Sequence, residues 1–242
     1  MSKRYLIGVL TPSSNTALEP LTSAMVARVP GASAHFARFP VTEISLRDTA
    51  LRQFDDSKIL DAARLLADAR VDVICWSGTS AGWLGFDTDE HLCARIAEAT
   101  GIPATTSVLA LNEVLRLRGA RTLGLVTPYV ADVQQRIVQN YAKLGIECVS
   151  ERHLDLEVNF SFSEVSPDTL RELVRDVARH RPDAITTFCT NLHAAPLAHA
   201  LEEETGVALY DTVSTVVWKA LQLAGADTAA LRGWGRLFDA RP

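Results

Sequence analysis

Two hydrophobic periods alternate along this chain. Short, mostly apolar runs stand at 5–10 (YLIGVL), 71–76 (VDVICW), 122–127 (TLGLVT) and 183–188 (DAITTF). Runs of that length without strict alternation mark strands covered on both faces, as in parallel sheets. Amphipathic segments lie between them. At 56–69, Ile59, Ala63 and Leu66 fall on one helical face, with Asp61, Arg64 and Asp68 mostly away from it. The pair Asp87 and Glu90 has the spacing of a helix N-cap and its capping partner. Strand and helix patterns alternate throughout, so the expected class is α/β with parallel sheets.

The pattern also repeats. Thr11-Pro12 after the first strand is matched by Thr127-Pro128, and VDVICWSGTS by PDAITTFCTN. The segment EATGIPATTSVLALNEVLRLRGA is matched by EETGVALYDTVSTVVWKALQLAGA, pairing Gly101 with Gly206 and Gly119-Ala120 with Gly225-Ala226. Four paired segments in one order, at near-constant spacing, indicate a duplication. The prediction is two pseudo-symmetric Rossmann-like lobes with parallel four-stranded sheets facing a central cleft. The first lobe is 1–112 and the second 113–215, with 216–242 returning to the first. Ligands of open parallel sheets bind beyond the carboxyl ends of the strands. The strand-end loops at 11–16, 77–82, 127–129 and 189–191 are therefore the expected site.

Composition narrows the function. The chain has 242 residues, 48% hydrophobic and 22% charged, with a formal net charge of −5 and no Lys/Arg-rich run. That balance fits a globular protein and speaks against a nucleic-acid partner. No apolar stretch approaches the roughly 18 residues of a membrane span, and the first apolar run is too short for a signal peptide. The four cysteines form no C-x-x-C pair, which predicts a cytoplasmic protein with reduced thiols. No G-x-G-x-x-G follows the first strand, and no phosphate-binding G-x-x-x-x-G-K-[ST] or H-E-x-x-H occurs. Cys189 with His193 is too small a set for a metal. Neither a cofactor nor a metal is expected. A homo-oligomer is left open.

The loops supply the candidate chemistry. Cys189 follows an apolar strand and precedes a helix expected to start near Pro196, where a helix dipole would favour its thiolate. It is read as a nucleophile, a proton donor or a structural thiol. Cys75, Cys93 and Cys148 are read as core residues. In the equivalent loop of the first lobe, Gly78 lets the backbone approach a ligand, and Thr79 and Ser80 offer hydroxyls and N–H groups to an anion. Tyr129 adds a phenol, or simply packs at a helix start. Asn15 is a ligand donor or a helix cap, Asn159 a ligand donor or a turn residue. Trp76, Trp83, Phe160 and Phe162 flank the loops as core or as ligand wall.

Taken together, Pro12-Ser13-Ser14-Asn15-Thr16, Gly78-Thr79-Ser80, Thr127-Pro128-Tyr129, Cys189-Thr190-Asn191 and the ending Gly233-Trp234-Gly235-Arg236-Leu237-Phe238 resemble the aspartate/glutamate racemase superfamily. The branch is that of maleate cis-trans isomerases and arylmalonate decarboxylases. The resemblance implies two facing α/β lobes and cofactor-independent chemistry at an acidic carbon beside a carboxylate. Racemases and maleate isomerases of this superfamily use one cysteine from each lobe. Here only the second-lobe position, Cys189, is a cysteine, and the first-lobe position is Gly78, a pattern similar to arylmalonate decarboxylase. In that family the counterparts of Thr79, Ser80 and Tyr129 form a dioxyanion hole with backbone N–H groups. Thr190-Asn191, Asn15 and Asn159 depart from the decarboxylase pattern, and the two asparagines match isomerase residues. The expected function is a single-cysteine enzyme that forms a carbanion or enediolate from a small dicarboxylate, arylmalonate-decarboxylase-like. The alternatives are a maleate isomerase or Asp/Glu-type racemase, and a non-catalytic carboxylate-binding protein. The substrate-binding set is Asn15, Gly78, Thr79, Ser80, Tyr129, Asn159 and Thr190.

Overall fold

A computed structural model describes residues 3–47 and 56–239. Its first sheet has the order β2-β1-β3-β4, from β1 (Tyr5–Pro12), β2 (Ala32–Phe39), β3 (Val73–Trp76) and β4 (Ala104–Thr106). Its second has β6-β5-β7-β8, from β5 (Thr122–Thr127), β6 (Glu147–His153), β7 (Ala184–Thr187) and β8 (Ala208–Asp211). All pairings within both sheets are parallel. The two orders are the same walk through the sheet, so the internal repeat is a repeat of topology.

The repeat extends to individual hydrogen bonds. Asp72, just ahead of β3, accepts from the Leu6 N–H at 2.7 Å. Its counterpart Asp183 accepts from the Arg121 and Thr122 N–H groups at 2.8 and 2.9 Å. Each carboxylate pins the start of a central strand, which is why 71–72 and 183 stand outside the ladders that sequence periodicity assigned them to. Gly101 and Gly206 both end a helix in the left-handed region, at φ 71° and 76°, where a side chain would be strained.

Among the described residues five helices frame the first sheet: α1 (Leu18–Val26), α2 (Asp56–Asp68), the short α3 (Ala81–Leu84), α4 (Phe86–Thr100) and α5 (Ser107–Leu117). Helix α2 matches the apolar stripe, with Ile59, Ala63 and Leu66 buried. The expected capping box at Asp87 and Glu90 does not form. Helix α4 starts two residues earlier, from Gly85 at φ 118°, without a side-chain cap. The close succession of α3 and α4 requires a backbone turn that glycine supplies, and Asp87 falls inside the first turn.

The second lobe carries α6 (Ala131–Lys143), α7 (Asn159–Phe162), α8 (Pro167–Ala178) and α9 (Ala198–Thr205). Helix α10 (Thr212–Ala224) leaves β8 and packs on β1, β3, β4, α1 and α5. The Thr215 hydroxyl donates to the Ser107 carbonyl at 3.1 Å, and Lys219 pairs with Glu113 at 2.6 Å. The segment after α10 does not stay on the first lobe, as the sequence suggested. The 3-10 turn Thr228–Leu231 meets Arg28 of the first lobe through the Ala230 carbonyl. The next turn, Arg236–Phe238, docks on β8 and on Glu202 of α9. The buried Glu202 carboxylate accepts from the Arg236 N–H at 2.7 Å, and that bond draws the tail to the second lobe.

Asp211 caps α10, accepting from the Val213 and Ser214 N–H groups and from the Thr187 hydroxyl. It is fully buried, and burial pushes its carboxyl up to about 6. Asp211→Ala removes the cap and orphans a buried hydroxyl. The expected cost is about 2–4 kcal/mol, or a fall in Tm of roughly 5–12 °C for a chain of this size. Calorimetry at pH 7 checks this, and a shift under 2 °C would contradict the assignment.

Candidate active site

The carboxyl ends of β1, β3, β5 and β7 deliver their loops to one place between the lobes. Thr79 and Ser80 follow β3, Tyr129 follows β5, and Cys189 follows β7; all four line one cavity, with Gly78 and Thr190 beside them. The cavity measures about 20 Å³, room for about one water. Apolar groups close another part of it: Pro12, Val41, Ile44, Trp76 and Trp83. A wider concavity of about 530 Å³ lies elsewhere, bordered by Phe86, Asn112, Arg116 and Ile146, and contains none of the candidate residues.

Tyr129 is fixed in place. Its ring meets Trp83 and Phe162 edge-on at centroid distances of 5.3 and 5.6 Å. Its hydroxyl lies 2.6 Å from the Thr79 hydroxyl and hydrogen-bonds the Cys189 thiol as well. Burial drives the phenol well above its ordinary pKa, so it remains a neutral donor.

Cys189 is a thiol at rest. Burial pushes it up to about 12, against the Tyr129 hydroxyl and the Asn191 N–H, which favour the thiolate. The Asn191 N–H lies 3.4 Å from its sulfur. The helix expected near Pro196 begins as a 3-10 turn at Ala195–Leu197, and α9 starts only at Ala198. The dipole stabilisation anticipated for the thiolate is therefore outweighed by burial. The other cysteines stand outside the cavity lining: Cys75 donates to the Gly8 carbonyl at 3.2 Å, and Cys93 and Cys148 are half-buried.

The asparagines differ from expectation in a consistent way. Asn15 does not line the cavity. Its carbonyl oxygen accepts from the Ala17 and Leu18 N–H groups, capping α1, and its amide donates to Thr190 at 3.3 Å. Thr190 in turn donates to the Ser77 carbonyl at 3.1 Å. Asn159 does line the cavity, with one amide N–H donated to Ser14 at 2.8 Å. Asn191 joins the lobes: its oxygen accepts from the Thr16 and Ala17 N–H groups, and its amide donates to the Asn159 carbonyl. Sequence reasoning placed Asn191 in a motif but gave it no role. Its position two residues past Cys189, against the partner loop of the duplication, was the available signal. Val41 and Ile44 carried no such signal, because they follow an edge strand whose pattern, ASAHFARF, mixes polar and apolar positions.

Gly78 has a specific reason to be glycine. A Cβ there would lie 2.0–2.5 Å from three atoms of the Trp76 indole, which covers the residue. A first-lobe cysteine at this position would require the Trp76 ring to shift.

A sequence model of arylmalonate decarboxylase matches residues 12–238. The chain belongs to the arylmalonate decarboxylase family. The arylmalonate decarboxylase of Bordetella bronchiseptica is 30% identical over 184 residues, covering 75% of this chain and 77% of that protein. The maleate isomerase of Geobacillus stearothermophilus is 24% identical over 233 residues, 92% of each chain. A solved structure of Nocardia farcinica maleate cis-trans isomerase, a cysteine-to-serine mutant with a covalently bound succinylcysteine intermediate, superposes with a TM-score of 0.89 at 23% identity over 98% of both chains. This family member thus shares its two-lobed fold with isomerases and decarboxylases alike. Among the described residues no helix is long and apolar enough to cross a membrane.

Proposed function

We propose that this family member is a cofactor-independent decarboxylase of a small malonate-type dicarboxylate, with Cys189 as its proton donor. The observation that carries the reading is that Cys189 is the sole thiol lining the cavity among the described residues, while the indole of Trp76 covers Gly78. The cavity as it stands holds about one water, so its wall must open to admit substrate, and the retained carboxylate then binds to Thr79, Ser80 and Tyr129. The other carboxylate lies against Pro12, Val41 and Ile44, where loss of hydration favours its release as neutral CO₂. The electron pair of the broken C–C bond moves into the retained carboxylate, forming an enediolate whose charge the hydroxyls and nearby N–H groups stabilise. The Cys189 S–H then protonates the α-carbon. The resulting thiolate, held by Tyr129 and the Asn191 N–H, recovers its proton from water. The product is a monocarboxylate.

The asparagines support this reading more than their residue types suggest. Asn15 is committed to a helix cap and to Thr190, so it offers the cavity less than an isomerase-type carboxylate grip requires. An isomerase remains the second reading, favoured by Asn159 in the cavity wall. Proton NMR in D₂O with phenylmalonate, maleate and aspartate separates the readings. Deuterated phenylacetate is expected from the first. Fumarate from maleate, or α-exchange of aspartate, would replace decarboxylation with isomerisation or racemisation. No turnover, with ligand binding intact in Cys189→Ala, would favour a binding protein.

The protonated thiol is the active form, and its pKa is raised. Activity is therefore present below that pKa and is lost only as pH rises through it, at about 12. The expected kcat profile shows no loss attributable to Cys189 between pH 7 and 10. An alkaline limb centred near 8.5 that matches thiolate absorbance would overturn the assignment.

A further inference from the structure

We infer that Trp76 is a substrate-contacting residue of this site, its indole Nε1–H donating a hydrogen bond to an oxygen of the retained carboxylate beside Thr79 and Tyr129. The inference rests on the carboxylate-binding reading above and adds a third side-chain donor to it.

Three observations carry it. First, Trp76 ends β3, lines the same cavity as Thr79, Tyr129 and Cys189, and is 1% exposed. Second, its ring lies over Gly78: the Cβ position of that glycine is 2.0 Å from Cζ2 and 2.3 Å from Cε2. Nε1 is bonded to Cε2, so the N–H borders the loop that carries Thr79. Phe39 packs on the indole at a centroid distance of 5.0 Å and holds its plane. Third, Nε1 is buried and has no protein partner among the described residues. An indole N–H can only donate, and a buried donor needs an acceptor. In the cavity wall the Thr79 and Tyr129 hydroxyls already pair with each other. A carboxylate oxygen in the cavity is the acceptor this donor fits.

The same geometry makes Trp76 selective. Its ring removes volume on the Gly78 side, so the site accepts a carboxylate there but little bulk. The α-substituent of the substrate is then directed towards Val41, Ile44 and Trp83.

The test uses the protein labelled uniformly with ¹⁵N and ¹³C. The four indole N–H signals are assigned with Trp76→Phe, or by triple resonance should that variant not fold. Malonate, phenylacetate and maleate are the probes. The expected result is a saturable downfield shift of the Trp76 Nε1–H, with Trp76→Phe binding the same probe about 10- to 100-fold more weakly and retaining the wild-type circular dichroism spectrum. Shifts at the Thr79 or Asn191 amides without one at Trp76 Nε1–H overturn this inference and leave the carboxylate site standing. Trp76→Phe binding within twofold of wild type does the same. No shift at any of these groups with any probe overturns both.

Discussion

Cys189→Ala is expected to lower kcat for phenylmalonate by about 10²–10⁴, the usual contribution of a positioned general acid. The reason is local. The thiol is the proton source inside a cavity with room for about one water, and burial keeps it protonated at neutral pH. Cys189→Ser is expected to fare little better, because a buried hydroxyl holds its proton more tightly than a thiol. The fold should survive either change, since the cysteine sulfur accepts only from the Asn191 N–H and pairs with Tyr129. Rates by NMR, with circular dichroism as the control for folding, decide the matter. An alanine variant retaining a tenth or more of the wild-type rate would remove Cys189 from the mechanism.

Tyr129→Phe should cost about 10²–10³ in kcat, as loss of one preorganised oxyanion donor does. The aromatic contacts with Trp83 and Phe162 do not involve the hydroxyl, so phenylalanine keeps the ring in place. The substitution isolates the donor. Because Tyr129 and Thr79 share a 2.6 Å hydrogen bond, Thr79→Ala should also disturb Tyr129, and the double variant should lose less than the product of the single losses. Losses that multiply in full would mean that the two hydroxyls act independently. A change confined to KM would mean that Tyr129 binds substrate and transition state equally.

Much of this architecture is legible in the residues. The duplication is carried by short motifs with fixed structural duties: an aspartate that pins a strand start, a glycine that ends a helix, a Thr-Pro at a strand end. Those duties are local, so sequence shows them. The polar loops after the strands followed from topology, which brings Thr79, Ser80, Tyr129 and Cys189 together. Legibility stopped where the outcome depends on competition between distant groups. Asn15 had two uses for its amide, and the helix cap took the oxygen. The Cys189 environment offered a dipole and a desolvated cavity, and desolvation won. Trp76 read as either core or wall, and in the fold it is both buried and part of the cavity lining. The tail, expected on the first lobe, also reaches the second, where the buried carboxylate of Glu202 accepts from the Arg236 N–H.

Helix α10 carries a consequence for how the protein is made. The strands of the first sheet are complete by residue 106, yet the helix that packs on β1, β3 and β4 begins at residue 212. On the ribosome the first half emerges with the part of its sheet under α10 uncovered, and that part must wait for the whole second lobe before it is covered. Contacts so distant in sequence slow folding and prolong the exposure of apolar strands.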